Sequence, residues 1–333
     1  MNAADLRAFL SISGLLPRHV IQAEEFFLAN GPGRSAHFYR GEKVGNREEH
    51  ISLETLKRYL RLLDLPSPGK DAVDGQSSVG RARVLNEENP PSLAEWILSL
   101  WRGAASIDAR ILGDFHVHTI HSDGIDTVEK MISTAHRMGY RWIGLADHAP
   151  GINQPYRLTV DSFQRRVEAS KTAALQYPVR LLQAVEADLV DSGVQDIPEA
   201  IVDRLDYVLI SSHNPELERS DRVLRALETA FSWSLVKGYA HPFWMLDFEG
   251  YKPFIAEAVS LAIAHNVAVE LNFYPDSIRA NNFLIDEVRR LGGSVMLSTD
   301  AHHANALELM RFAGAFVRES ESVEILNFSE SPF

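Results

Sequence analysis

Two hydrophobic periodicities divide this 333-residue chain. Up to about residue 105, apolar positions recur at helical spacing through 6–10, 21–28 and 53–65, with Ser52 placed to cap the last run. Leu65-Pro-Ser-Pro-Gly69 stops that helix, and the Gly-, Ser-, Asn- and charge-rich stretch over 66–91 predicts a flexible loop. A short helix over 92–101 follows. From residue 106 the pattern changes to short β-branched or apolar runs at 111–117, 142–146, 179–185, 207–211, 236–240, 267–271 and 295–298. Helical patterns over 127–138, 161–176, 197–204, 218–231, 255–265 and 284–291 separate them. Seven strand–helix units predict an α/β fold, a parallel sheet closed into a TIM-like (β/α)7 barrel. Glycines after Met138 and Leu291 stand where helix ends need a left-handed residue. The expected division is a mainly helical region over 1–105, of unknown role, and a barrel over 106–333.

Composition sharpens this. Hydrophobic residues make up 45% and charged residues 23%, enough for a large core. No run of about 18 apolar residues is present, so no membrane span is expected. The N-terminus reads as an amphipathic helix rather than an export signal, which makes the cytoplasm the expected location. Cys is absent, so any metal must be held by His nitrogen and carboxylate oxygen. The net charge of −12 falls entirely after residue 105, with 20 Lys+Arg against 32 Asp+Glu, and 10 of the 13 His lie there too. Such a field repels polyanions, so DNA is disfavoured as a partner.

The chemistry is in the placement of those His and acidic residues. The first strand ends in His116-Val-His118, followed by His121-Ser-Asp123; the second ends in Asp147-His148 and the third in Glu186. The fourth runs into His213, the fifth into His241, and the seventh into Asp300-Ala-His302. Six of seven strand ends thus bring a candidate ligand to the rim where parallel barrels carry active sites. Alternation along a strand aims both imidazoles of an H-x-H pair at one point. Imidazole with carboxylate suits Zn, Mn or Fe, and the two oxygens of Glu186 can bridge two ions. A lone His or Asp at a strand end is usually a satisfied polar group or a helix cap, the role expected of Asp126 and Asp161. Nine such residues on one rim are not explained that way, because burial without partners would cost a few kcal/mol each.

The segments FHVHTIHSDG, GLADH, VEAD, DYVLISSHN, AHP and STDAHH resemble, in order and spacing, the motifs of the PHP (polymerase and histidinol phosphatase) superfamily over about 110–320. VELNFYPDSIR and ELMRFAG extend the likeness toward the C-terminal PHP domain of bacterial family X DNA polymerases. The resemblance implies a distorted seven-stranded barrel, two to three divalent ions and phosphoester hydrolysis. It implies a first ion on His116, His118, Glu186 and Asp300. Glu186 would bridge to a second on His213 and His241, and Asp123, His148 and His302 would hold a third, with His121 able to compete with Asp123. Residues 1–105 carry no likeness to a polymerase domain.

The expected reaction is phosphoester hydrolysis by metal-activated water. Asp147 and His303, each beside a ligand, are candidates for the acid that protonates the leaving group, or for groups that orient imidazoles. Arg157 and Arg279 can clamp a phosphate, and Asn272 can meet substrate at the rim. Phe243, Trp244, Phe273 and Tyr274 can line a pocket. A small phosphorylated substrate, of histidinol-phosphate or nucleotide type, fits the acidic barrel best. The rivals are a nuclease acting at DNA 3′ ends or abasic sites, a metal-stabilised scaffold, and an amidohydrolase; the last typically uses a strand Lys, and no Lys stands at a strand end here. The sequence does not address oligomeric state.

Overall fold

The computed structural model describes residues 93–104, 106–151, 157–212, 221–242, 248–275, 277–317 and 322–333. The helices expected before residue 92, the 66–91 loop, His213, Phe243 and Trp244 lie outside these residues.

The strands are β1 (Gly113–Val117), β2 (Trp142–Leu145), β3 (Arg180–Val190), β4 (Gly193–Val194), β5 (Tyr207–Ser211), β6 (Val236–Tyr239), β7 (Ala268–Asn272), β8 (Ser294–Ser298) and β9 (Glu324–Ile325). They order as β1-β2-β3-β5-β6-β7-β8-β9, every neighbouring pair parallel, while β4 folds back antiparallel on β3. The helices are α1 (Leu93–Gly103), α2 (Val128–Arg137), α3 (Val160–Ala174), α4 (Glu199–Val202), α5 (Asp221–Phe231), α6 (Phe248–Ala264), α7 (Asn281–Leu291) and α8 (Ala313–Val317).

The sheet closes on itself at the top, where Val117 bridges Ala301 and the His118 N–H donates to the Ala301 carbonyl at 2.9 Å. At the bottom the gap between β1 and β8 is filled by the C-terminal segment. Asn327 donates from Nδ2 to the carbonyls of Gly113 and Leu297, both at 2.8 Å, and accepts the Leu297 N–H at 2.7 Å. The result is a distorted TIM-like barrel.

Alternation explains how the interior is built. Leu182 and Ala184 on β3, Ala268 on β7 and Met296 on β8 join Phe115, Trp142, Tyr207 and Leu209 in an inner apolar cluster. Continuing two residues at a time toward the rim gives Glu186, then Glu270 and Asn272, then Ser298 and Asp300. Each strand therefore changes from apolar to ionisable along the same face. The core between sheet and helices is a separate and larger apolar cluster. On β1 the pairing with β2 shifts register between Asp114 and Val117; Phe115 belongs to the inner cluster and Val117 to the outer one. Gly144 is required by a close approach, since a Cβ there would lie 1.8 Å from Tyr207 Oη.

Several boundaries differ from expectation. β3 runs on to Val190, so Glu186 sits within the strand rather than at its end. α6 begins seven residues before the predicted 255, running through Pro253, because the apolar periodicity only starts after that proline. The caps of α2 and α3 are Thr127 and Thr159, not Asp126 or Asp161. Asp126 instead accepts the Ala304 N–H at 2.8 Å. Gly139 and Gly292 take the left-handed conformation expected, at φ 85° and 76°. No helix among the described residues is long and apolar enough to cross a membrane.

Candidate metal centre

Eight of the nine expected ligands are described, and they converge at the top of the barrel in three overlapping groups. His118, Asp123, His148 and His302 form one; His116, Glu186 and His241 a second; His116, His118 and Asp300 a third, the donor atoms of each lying within 4.8 Å of one another. His118 thus faces both Asp300 (3.1 Å from Nε2) and Asp123 (3.2 Å from Nδ1), which joins groups the sequence reading kept apart. Glu186 is the hub. Its Oε1 lies 2.7 Å from His241 Nε2, and its Oε2 lies 3.0 Å from His148 Nδ1, 3.4 Å from His116 and 3.5 Å from His118. Asp123 Oδ2 lies 3.2 Å from His148 Nε2 and 3.1 Å from His302 Nε2. His121, its expected competitor, is in none of the three groups.

Burial alone would drive these imidazoles neutral and these carboxylates protonated, but their mutual attraction wins. Glu270, Asp300 and Glu186 hold His116 well above the ordinary imidazole range, and Asp123 lifts His302 to about 9 against its own burial. The imidazoles in turn hold Asp123 and Asp300 well below the carboxylate range. The backbone is strained as well. His241 and Asp300 take φ 25° and 53°, a region L-residues avoid, and they are two of the three non-glycine residues there among the described residues. Clustered imidazole and carboxylate, without thiol, is a donor set that fits Zn, Mn or Fe, and strain held at two of its members fits a functional site.

The other expected site residues have different surroundings from those foreseen. Asp147 is fully buried and accepts from Thr119 N–H (2.8 Å), Ser122 Oγ (2.6 Å) and Arg166 Nη1 (2.9 Å). Burial pushes its carboxyl up, but Arg166 and His118 outweigh that and hold it below the usual range. These contacts make it a brace for the loop that carries Asp123. Burial pushes the neighbouring His303 down to about 4. Asn272, expected at the substrate, is 1% exposed; its amide donates to Glu270 at 3.2 Å and Asp300 at 3.4 Å. Arg157 is bound to Asp188 and donates to Gln195 Oε1 at 3.2 Å. Arg279 lies in a 3-10 turn between β7 and α7, half-buried. Phe273 is core; Tyr274 is buried with its ring centroid 5.9 Å from that of His302.

Sequence reasoning missed Glu270, Asp114 and Arg166. Glu270 and Asp114 did leave a signal: each is the lone acid of a short buried strand, two residues from a site residue. Burial pushes Asp114 up to about 7 even though it accepts from Thr299 N–H and hydroxyl and from His116 N–H.

Comparison with known proteins gives this arrangement a family. Residues 114–274 match the family model described as PHP domain. The chain is 26% identical over 223 residues to the DNA polymerase/3′-5′ exonuclease PolX of Bacillus subtilis, covering 66% of this chain and 39% of that protein. It is 33% identical over 138 residues to a "probable phosphatase" of Acetivibrio thermocellus, covering 39% of this chain and 53% of that one. The chain therefore spans only about two fifths to half of these two relatives. A crystal structure of histidinol phosphate phosphatase from Lactococcus lactis, complexed with Zn, L-histidinol and phosphate, is 17% identical with a TM-score of 0.48, covering 65% of this chain and 95% of that one. The family model and these relatives support a PHP domain over residues 114–274, in line with the resemblance of the motifs.

Proposed function

We propose that the rim cluster binds two to three divalent ions, Zn, Mn or Fe, and that the protein uses them to hydrolyse a small phosphate monoester. The observation that carries this reading is the convergence of eight imidazole and carboxylate side chains into three groups that share His116 and His118. The ligand sets proposed are His116, His118, Glu186 and Asp300 for one ion, Glu186, His241 and His213 for the second, and Asp123, His148 and His302 for the third. Bound there, such ions supply Lewis-acid activation of water and neutralise phosphoryl charge.

The chain's own residues do the holding. Asp147 fixes the Thr119–Ser122 turn and so the reach of Asp123. Asn272 steadies Asp300 from below. Asp123, His148 and His302 are more exposed than His116, His118 and Glu186, so substrate is proposed to enter from their side. A phosphatase reading is supported by relatives such as the "probable phosphatase" of Shewanella sediminis, 27% identical over 234 residues and spanned to 91% of its length. A second reading, cleavage at DNA 3′ ends, is favoured by the 223-residue match to an exonuclease and opposed by the net charge of −12.

Metal analysis paired with a panel of phosphomonoesters, phosphodiesters and 3′-ended DNA tests both. We expect at least two metals per chain and monoesterase activity lost on chelation. Fewer than one metal after Zn or Mn loading would sink the centre; DNA degradation without monoesterase activity would establish the second reading.

A further inference from the structure

One buried carboxylate beside the cluster has no place in the proposed ligand sets. Glu270 is 1% exposed on β7, on the face that continues from Ala268 to Asn272. Its Oε2 accepts the backbone N–H of His241 at 2.6 Å and the Asn272 amide at 3.2 Å. Its Oε1 accepts the Ser298 hydroxyl and lies 2.8 Å from His116 Nδ1. A carboxylate can only accept, so His116 must carry its hydrogen on Nδ1. In the neutral ring that puts the lone pair on Nε2, which faces His118 Nε2 at 3.0 Å and Glu186 and Asp300 at 3.4 and 3.7 Å. The same carboxylate anchors the N–H of His241, whose φ of 25° is disfavoured without an external hold.

We propose that Glu270 is the positioning residue of the metal centre, setting the tautomer of His116 and fixing the main chain of His241. One side chain thereby orders ligands from two strands, β1 and β6, that are not neighbours in the barrel. This rests on reading the cluster as a metal centre, and it adds a residue outside the proposed ligands.

Glu270→Gln tests it because the change is nearly isosteric and its outcome is directional. The His241 N–H belongs to the backbone and cannot reverse, so the Gln carbonyl must face it. The Gln NH2 then points at His116 Nδ1 and Ser298 Oγ. Serine can accept by rotating its hydroxyl, but His116 can accept only by moving its hydrogen to Nε2, the nitrogen that would bind metal.

The measurements are 15N-resolved histidine spectra of the metal-free full chain, taken at a pH high enough for His116 to be neutral, with His116 assigned by its loss in His116→Asn, and zinc affinity by chelator competition. Wild type should show His116 as the Nδ1–H tautomer and Glu270→Gln as Nε2–H, with zinc bound about 10–100-fold more weakly. Wild-type zinc binding below one equivalent overturns the metal reading and this proposal with it. Normal wild-type binding with an unchanged tautomer and affinity in Glu270→Gln overturns the role of Glu270 alone. Should the variant not fold, the wild-type spectrum still decides: an Nε2–H tautomer of His116 there refutes the proposal. Neither readout depends on which phosphoester, if any, is hydrolysed.

Discussion

The two ends of the barrel bury polar groups in opposite ways. At the base, Asn327, Trp142 and Tyr207 bury neutral polar groups against backbone partners. Asn327 ties Gly113 to Leu297, Trp142 Nε1 donates to the Ser329 carbonyl at 2.9 Å, and the Tyr207 hydroxyl donates to the Phe115 carbonyl. At the rim, ionisable side chains face one another at about hydrogen-bond distance, on a backbone strained at His241 and Asp300. Neutral satisfied groups stabilise a closed end and need nothing further. A strained, charged array persists only where surrounding structure over-determines it. That support comes from the layer just below the rim, where Glu270 and the Asp147–Arg166 pair sit. Damage should therefore separate by height: chemistry lost at the rim, stability lost at the base, and both affected between.

The largest effect is expected at the rim. His118→Ala removes a fully buried imidazole that faces both Asp123 and Asp300, so metal content should fall by at least one equivalent. Hydrolysis should fall by more than the about 10–100-fold typical of a residue that only supports a ligand. The metal-free fold should stay largely intact, since the apolar clusters that hold the barrel are untouched. Metal analysis, turnover and calorimetry check this; retained metal and turnover would remove His118 from the centre.

Next is the middle layer. Arg166→Met keeps volume but strands a buried Asp147, at a cost of about 3–5 kcal/mol. Because Asp147 holds the turn before Asp123, metal affinity should fall as well, most at the outermost group. A denaturant curve and a metal titration on the same sample show whether the two losses occur together. Loss of stability with an intact titration would mean that the pair braces α3 alone.

The layering also explains what could be read in advance. The span 207–211 was predicted to the residue, because an apolar run flanked by Asp206 and Ser212 has no competing period. The convergence of the rim residues was legible because imidazoles and carboxylates stand out among strand ends. Glu186 was expected at a strand end because the apolar run stops at Val185, yet the strand continues and pairs with β4. The supporting layer was far less legible. His116 and Glu270 are 154 residues apart, and Arg166 looks like any charged residue of an amphipathic helix. Pattern identifies which side chains are unusual; it does not say which distant unusual residue each will meet.

At the base, Asn327→Ala leaves the Leu297 N–H and the Leu297 and Gly113 carbonyls without their side-chain partner. The expected loss is about 3 kcal/mol, read from denaturant unfolding. Metal content and turnover of the folded fraction should match wild type. A metal deficit in this variant would break the separation of the two ends, because it would show the seam transmitting strain along β1 or β8 to His116 or Asp300.

The smallest effect is expected where the sequence reading placed a phosphate clamp. Arg157 stands near the rim, but its side chain is 5% exposed and its guanidinium is engaged by Asp188 and Gln195. A clamp needs donors facing the substrate; this one binds the β3–β4 hairpin to the loop after His148. Arg157→Gln should therefore cost about 1 kcal/mol of stability from a partly buried pair. It should leave KM and kcat within about twofold of wild type, far short of the about 2–5 kcal/mol that losing one partner of a buried interfacial charge pair costs. A KM raised tenfold or more with kcat unchanged would return Arg157 to the substrate and extend the chemical end of the barrel outward to this hairpin.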